Sequence, residues 1–149
     1  MITDKNKEFL ARYGSSDHLD HFINDQNPYV RNAVAKNIST SHIQLNILGK
    51  DKTPLVRKAV AENPKISNET LNDLFQDENN HVKQGAAMNP NLTKEQIEHA
   101  VNHSDPWIRE TISNHPKISK DHLRILKDDG DQYVAEAATH NLIKRIGQE

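Results

Sequence analysis

Apolar positions recur along this chain at a fixed interval. Val30, Val56, Val82, Ile108 and Val134 stand 26 residues apart, without a gap in five copies. Three places later come Ala33, Ala59, Gly85, Thr111 and Ala137, and one further Val34, Val60, Ala86, Ile112 and Ala138. Spacings of three and four put these side chains on one helical face. Asn37, Asn63, Asn89, His115 and Asn141 close the phrase, and Pro64, Pro90 and Pro116 follow three of them. A second apolar set, Leu45, Leu71, Ile97 and Leu123 with Leu48, Leu74, Ala100 and Leu126, starts after Ser41, Ser67, Thr93 and Ser119. Those hydroxyls are N-cap candidates, and Thr93 with Gln96 fits a capping box. Each unit therefore predicts two short helices. In the third unit the first runs from about Asn68 to Gln76, and the second starts near His81, burying Val82, Gly85 and Ala86. Pro90 then forces Asn89 out of helical geometry.

Helices of about nine residues do not hold in isolation. They persist by packing on their neighbours, which predicts an all-α fold: an α-solenoid of about five helical pairs. Ala33, Ala35, Ala59, Ala61, Ala86 and Ala87 allow close approach between helices. The apolar share of only 34% agrees with so thin a core. One domain, 1–149, is expected: an N-terminal cap over 1–17, repeats over 18–141 and a C-terminal cap over 142–149. A helix over 4–13 should turn Phe9, Leu10 and Tyr13 toward the first repeat and end at Gly14. At the other end Leu142, Ile143 and Ile146 continue the last helix, with Lys144 and Arg145 facing water.

The unit V-R-x-A-V-A-x-N-P, followed by L-x-x-L-x-x-D-x-x-x-x-V-R, resembles the leucine-rich repeat variant, a short relative in style of HEAT-type helical repeats. The likeness spans residues 19–141 and is best in VRNAVAKN and VRKAVAENP. It implies a right-handed superhelix of alternating α and short 3₁₀ helices, although this unit is two residues longer than the family's usual 24. The L-x-L strand signature of an ordinary leucine-rich repeat is missing. The resemblance also implies that recurring Asp and Arg residues form a ladder, each Asp capping a helix and meeting an Arg of the adjacent repeat. Asp25, Asp51, Asp77 and Asp129 fall five places before the anchor, with His103 the exception; Arg31, Arg57, Lys83, Arg109 and Ala135 follow it. The ladder should weaken where His103 and Ala135 interrupt it.

Composition narrows the chemistry. The chain has no cysteine, which excludes disulfides, thiolate metal sites and the cysteine-bound iron–sulfur cluster associated with at least one member of that family. No cofactor is expected. The net charge of −2 argues against a surface that coats nucleic acid or an anionic membrane. The opening MITDKNKEFLARYG is charged throughout, so neither a signal peptide nor a membrane span is predicted, and a cytoplasmic protein follows. The Lys-, Asn- and Ile-rich vocabulary points to a bacterial or phage source. The repeated asparagines read as structural, satisfying loop backbone groups. His99 and His103, four apart on one helical face, with His115 and Asp105, fall short of a convergent metal site. No nucleophile–base pair or phosphate loop has a meaningful spacing, so no enzyme is expected.

One recurrence is not needed for packing. The residue before each anchor is Tyr29, Leu55, His81, Trp107 or Tyr133. The helical face it shares carries Asn32 and Lys36, Lys58 and Glu62, Gln84 and Met88, Glu110 and Asn114, then Glu136 and His140. In HEAT-like solenoids the second helix lines the concave side. Tyr29, Lys36, Leu55, Lys58, His81, Met88, Trp107, Glu110, Tyr133 and Glu136 are therefore the candidate surface for a protein or peptide partner. The plain alternative is that the rings pack over inter-helix loops. A nucleic-acid groove is the other reading, with Trp107 and Tyr133 stacking on bases, but it has few lysines for the phosphates. A catalytic pocket around His103, Asp105 and His115 would need those groups within hydrogen-bond reach.

Overall fold

A computed structural model describes residues 2–147. It is all-α: eleven helices and no strand among the described residues. In order they are α1 (Asp4–Tyr13), α2 (Ser16–Phe22), α3 (Pro28–Lys36), α4 (His42–Leu48), α5 (Pro54–Glu62), α6 (Asn68–Phe75), α7 (Asn80–Ala87), α8 (Lys94–Val101), α9 (Pro106–Ser113), α10 (Lys120–Leu126) and α11 (Gln132–Ile146). Every element is an α-helix, so the alternation with 3₁₀ segments implied by the resemblance is not found among the described residues.

The chain divides into two compact units, Met1–Asn89 and Pro90–Glu149. In the first, α3 packs on both α1 and α5, α5 packs on α7, and α2, α4 and α6 each touch the odd-numbered helices on either side. The core is the repeated apolar set: Val30, Val34, Val56, Val60, Leu45, Leu71 and Val82 are buried, with Ala33, Ala35, Ala59, Ala61, Ala86 and Ala87 at the helix contacts. In the second unit α9 packs on α8 and α11, and α10 on α11, around Ile97, Ile108, Ile112, Ile118, Leu123, Leu126 and Val134. Most of these helices run seven to ten residues, so this burial, not intrinsic helicity, holds them.

The helix starts follow from local chemistry. Ser41, Ser67, Thr93 and Ser119 cap α4, α6, α8 and α10, and Ser41–Gln44 forms a second capping box beside Thr93–Gln96. Pro28, Pro54 and Pro106 open α3, α5 and α9, where a missing N–H costs nothing. Helix α1 ends at Gly14, where a Cβ would lie 2.3 Å from the Leu10 carbonyl oxygen.

The end helices need correction. Ala11 is the buried residue of α1, while Phe9 and Tyr13 are exposed and pack on each other, ring centroids 5.0 Å apart. Helix α1 lies close to α3 through its small side chain, which leaves the large rings outside. At the other end α11 does continue through Leu142, but Ile143 and Ile146 are exposed. Arg145 does not simply face water: Nη1 donates to Ile118 O, and Nη2 to His115 O and Pro116 O. Of the expected caps, residues 1, 148 and 149 lie outside the described residues.

Candidate functional site

Three sets of recurring polar residues must be placed before the surface face can be read. The first is the Asp–Arg ladder, which forms within both units. Arg31 grips Asp51 through Nε at 2.6 Å and Nη2 at 2.9 Å. Arg57 grips Asp77 at 2.7 and 2.9 Å, and Arg109 grips Asp129 at 2.7 and 2.8 Å. These are two-pronged, charge-assisted contacts. Each arginine also donates to a carbonyl six residues back: Asp25, Asp51 or His103. Lys7 of α1 closes the first rung on Asp25 at 3.0 Å. Burial alone would raise the Asp51 and Asp77 carboxyls, yet Arg31 and Arg57, with the Thr53 and Asn79 N–H groups, hold them below the ordinary value. Asp129 is lowered chiefly by Arg109.

These aspartates do not cap the helices. Their Oδ1 accepts the N–H two residues on: Asn27, Thr53, Asn79 and Asp131. The caps are the residues at that next position, as Asn27, Asn79, Asp105 and Asp131 accept from the N–H of Tyr29, His81, Trp107 and Tyr133. His103 keeps the loop contact of these aspartates but not their charge. Its Nδ1 accepts from Asp105 N–H at 3.0 Å, as an aspartate would. It lies beyond the end of α8, so it does not share a helical face with His99; the two rings meet edge to face at 5.9 Å.

The asparagines form the second ladder. Buried Asn63 donates from Nδ2 to Ala35 O and Asn37 O in the preceding repeat, and accepts from Lys65 N–H. Asn89 donates to the equivalent carbonyls, Ala61 O and Asn63 O, and Asn37 to Ala11 O and Gly14 O at the end of α1. Fully buried His115 occupies the same position and accepts from Lys117 N–H at 3.1 Å through Nδ1. Asn141 departs, bonding Asn114 Oδ1 and Ala137 O, and Arg145 takes the loop carbonyls instead.

The third ladder escaped sequence reading. Gln44 donates to Asp20 at 2.6 Å, Thr70 to Asn46 at 2.5 Å, and His122 Nε2 lies 3.0 Å from Glu98 Oε2. Each joins the first turn of one even-numbered helix to the preceding even-numbered helix, 24 residues back. Residue types change from rung to rung and only donor and acceptor persist, so the period was the only available signal.

Against these occupied positions, the candidate face stands apart. In the first unit Tyr29 is 61% exposed, Leu55 40% and Met88 44%, with His81 and Lys36 also outside. Asn32 does not belong to the surface: it is buried and donates to Leu55 O. Lys58 is half-buried and pairs with Glu62. Pro54, Leu55, Lys58, Asn79 and His81 line an open hollow at the starts of α5 and α7. In the second unit Tyr133 is 69% exposed and Glu136 is exposed, accepting from Gln132, while Trp107 and Glu110 are half-buried.

Among the described residues no three His, Asp or Glu side chains converge as metal ligands. Nor, among those residues, is any helix long and apolar enough to cross a membrane. His103 and His115, the members of the conceivable catalytic trio that carry a ring, have Nδ1 engaged by backbone N–H groups. Compared with protein-family models, with curated proteins and with solved structures, the chain matches none.

Proposed function

We propose that the helical pairs build an α-solenoid of the leucine-rich repeat variant or HEAT-like kind, and that the chain is a non-enzymatic interaction module. It takes a protein or peptide along the helix faces that carry Tyr29, Leu55, His81 and Met88 in one unit and Trp107 and Tyr133 in the other. One observation carries this reading. The recurring Asp, Arg, Asn and small residues have packing or hydrogen-bond duties, whereas the second residue of α3, α5, α7 and α11 is a large side chain that stays exposed, and its counterpart in α9, Trp107, is half-buried. Such rings and aliphatics amid polar neighbours are what a partner desolvates. Lys58, tied to Glu62, adds little to a phosphate-binding charge.

Selection of a random displayed-peptide library on the full chain tests the proposal. A Tyr29→Ala/Leu55→Ala/Met88→Ala variant should bind the selected peptides at least about tenfold more weakly, since loss of one good anchor is worth about 1–2 kcal/mol. Its melting temperature should stay close to wild type because the removed groups are exposed. Failure to enrich any peptide, or equal binding by the variant, refutes the reading. Steeply salt-dependent binding of duplex DNA would put nucleic acid in the partner's place.

A further inference from the structure

The Asp–Arg and asparagine ladders each have an imidazole in the second unit and none in the first. First-unit positions are filled by Asp25, Asp51 and Asp77 and by Asn37, Asn63 and Asn89; the second unit places His103 and His115 there. Both rings serve as acceptors. His103 Nδ1 receives Asp105 N–H and His115 Nδ1 receives Lys117 N–H, at 3.0 and 3.1 Å. That contact assigns the tautomer, with the proton of the neutral ring on Nε2. Nε2 is then a donor in both charge states, so protonation changes Nδ1 alone. An imidazolium has no acceptor, and at Nδ1 it would point an N–H at a backbone N–H. Aspartate and asparagine in the first unit keep their acceptor oxygens over the same pH range.

The surroundings reinforce this at His115, which is fully buried. Arg145 of α11 places Nη2 on the His115 carbonyl and on Pro116 O, and Nη1 on Ile118 O; Lys117 follows in the chain. Around His103 stand Arg109 of α9, which donates to its carbonyl, and the His99 ring. The carboxylate of Asp129 there is already gripped by Arg109, and that of Asp105 caps α9 at Trp107 N–H. His122 works in the opposite sense, because its protonated ring pairs better with Glu98.

We infer that the second unit is an acid-sensitive module: taking up protons at His103 and His115 between about pH 7.5 and 5.5 removes two backbone acceptors and loosens the unit, while the first unit holds. The unfolded chain binds these protons near pH 6.5, and the folded unit does so only by losing the contacts. Stability is thus complete above that range and falls as the pH drops through it. This holds whether or not the face binds a peptide.

The sole tryptophan, Trp107, lies in the second unit and reports its unfolding in the full chain without engineering. Urea titrations followed by its fluorescence at pH 7.5 and 5.5 should show the unfolding equilibrium constant rising about tenfold per histidine, about a hundredfold in all. A His103→Asp/His115→Asn variant restores the acceptors used in the other repeats and should change less than about threefold. His122 is common to both and cancels. Equal pH responses in the two proteins overturn the inference. Should the variant fold poorly, ¹⁵N-histidine spectra of the wild type decide it. His115 Nδ1 should stay unprotonated until the Trp107 transition, and protonation with Trp107 and the Lys117 amide unchanged would sink the idea.

Discussion

Asn63 ties three strands of backbone together with one side chain. Its amide nitrogen meets Ala35 O and Asn37 O, its oxygen meets Lys65 N–H, and it is buried. An alanine there strands two carbonyls and an N–H away from water, each costing about 1 kcal/mol or more. Asn63→Ala should therefore lower stability by about 2–4 kcal/mol in urea unfolding, whereas Asn141→Ala, whose bonds are to its own helix and to an exposed asparagine, should lose less than about 1 kcal/mol. Equal losses would show that repetition in sequence, not the cross-repeat contact, had been mistaken for importance. The structural role of the asparagine was legible because it recurs; its direction, reaching back to the preceding repeat, was not, since spacing alone does not say which carbonyl a side chain meets. His115 shows why residue identity misleads. Read as a histidine it suggests metal or catalysis, but at the asparagine position it is an acceptor of the same reach.

At the scale of elements, the 26-residue period placed the helices of the third unit to within a residue, about Asn68–Gln76 against Asn68–Phe75 and a start near His81 against Asn80, because the apolar spacing and the hydroxyl caps agree. What it missed lies at the ends. Phe9 and Tyr13 are apolar and helical, yet a terminal helix has a neighbour on one side only, and Ala11 rather than a ring fills that contact. The caps of α3, α7, α9 and α11 were also missed, since the Asp25, Asp77, His103 and Asp129 positions two places earlier drew attention from Asn27, Asn79, Asp105 and Asp131. Among these positions Thr53 alone makes no side-chain cap bond; its hydroxyl instead meets Arg31 Nη2 at 3.3 Å. An asparagine there can accept Leu55 N–H as its counterparts accept theirs. Thr53→Asn should stabilise the protein by about 0.5–1 kcal/mol, read as a raised melting temperature. A fall would mean that the Thr53–Arg31 contact outweighs the cap.

For the molecule as a whole, the Asp–Arg rungs are the recurring charged contacts, and the repeat made them foreseeable: residues twenty apart with opposite charge, copied from unit to unit. Their response to acid follows from proton counting. Asp25, Asp51, Asp77 and Asp129 are held below the ordinary carboxyl value in the folded chain. The unfolded chain therefore binds more protons than the folded one below about pH 4. Stability from these rungs is fully present above that pH and is lost as the pH falls through the lowered folded values. In the first unit, whose aspartate and asparagine ladder positions hold no histidine, amide protection of α3 and α5 should persist to about pH 4 and then collapse, once exchange is corrected for its intrinsic pH dependence. Asp51→Asn separates this from general acid unfolding. The variant keeps an oxygen for Thr53 N–H but loses the charge gripped by Arg31, at a cost of about 1.5–3 kcal/mol at neutral pH. It should start lower than wild type and lose less on acidification, because one proton-linked rung has already gone. Parallel curves for the two proteins would mean that the Arg31–Asp51 pair, however well aligned at 2.6 Å, is not what couples the fold to pH.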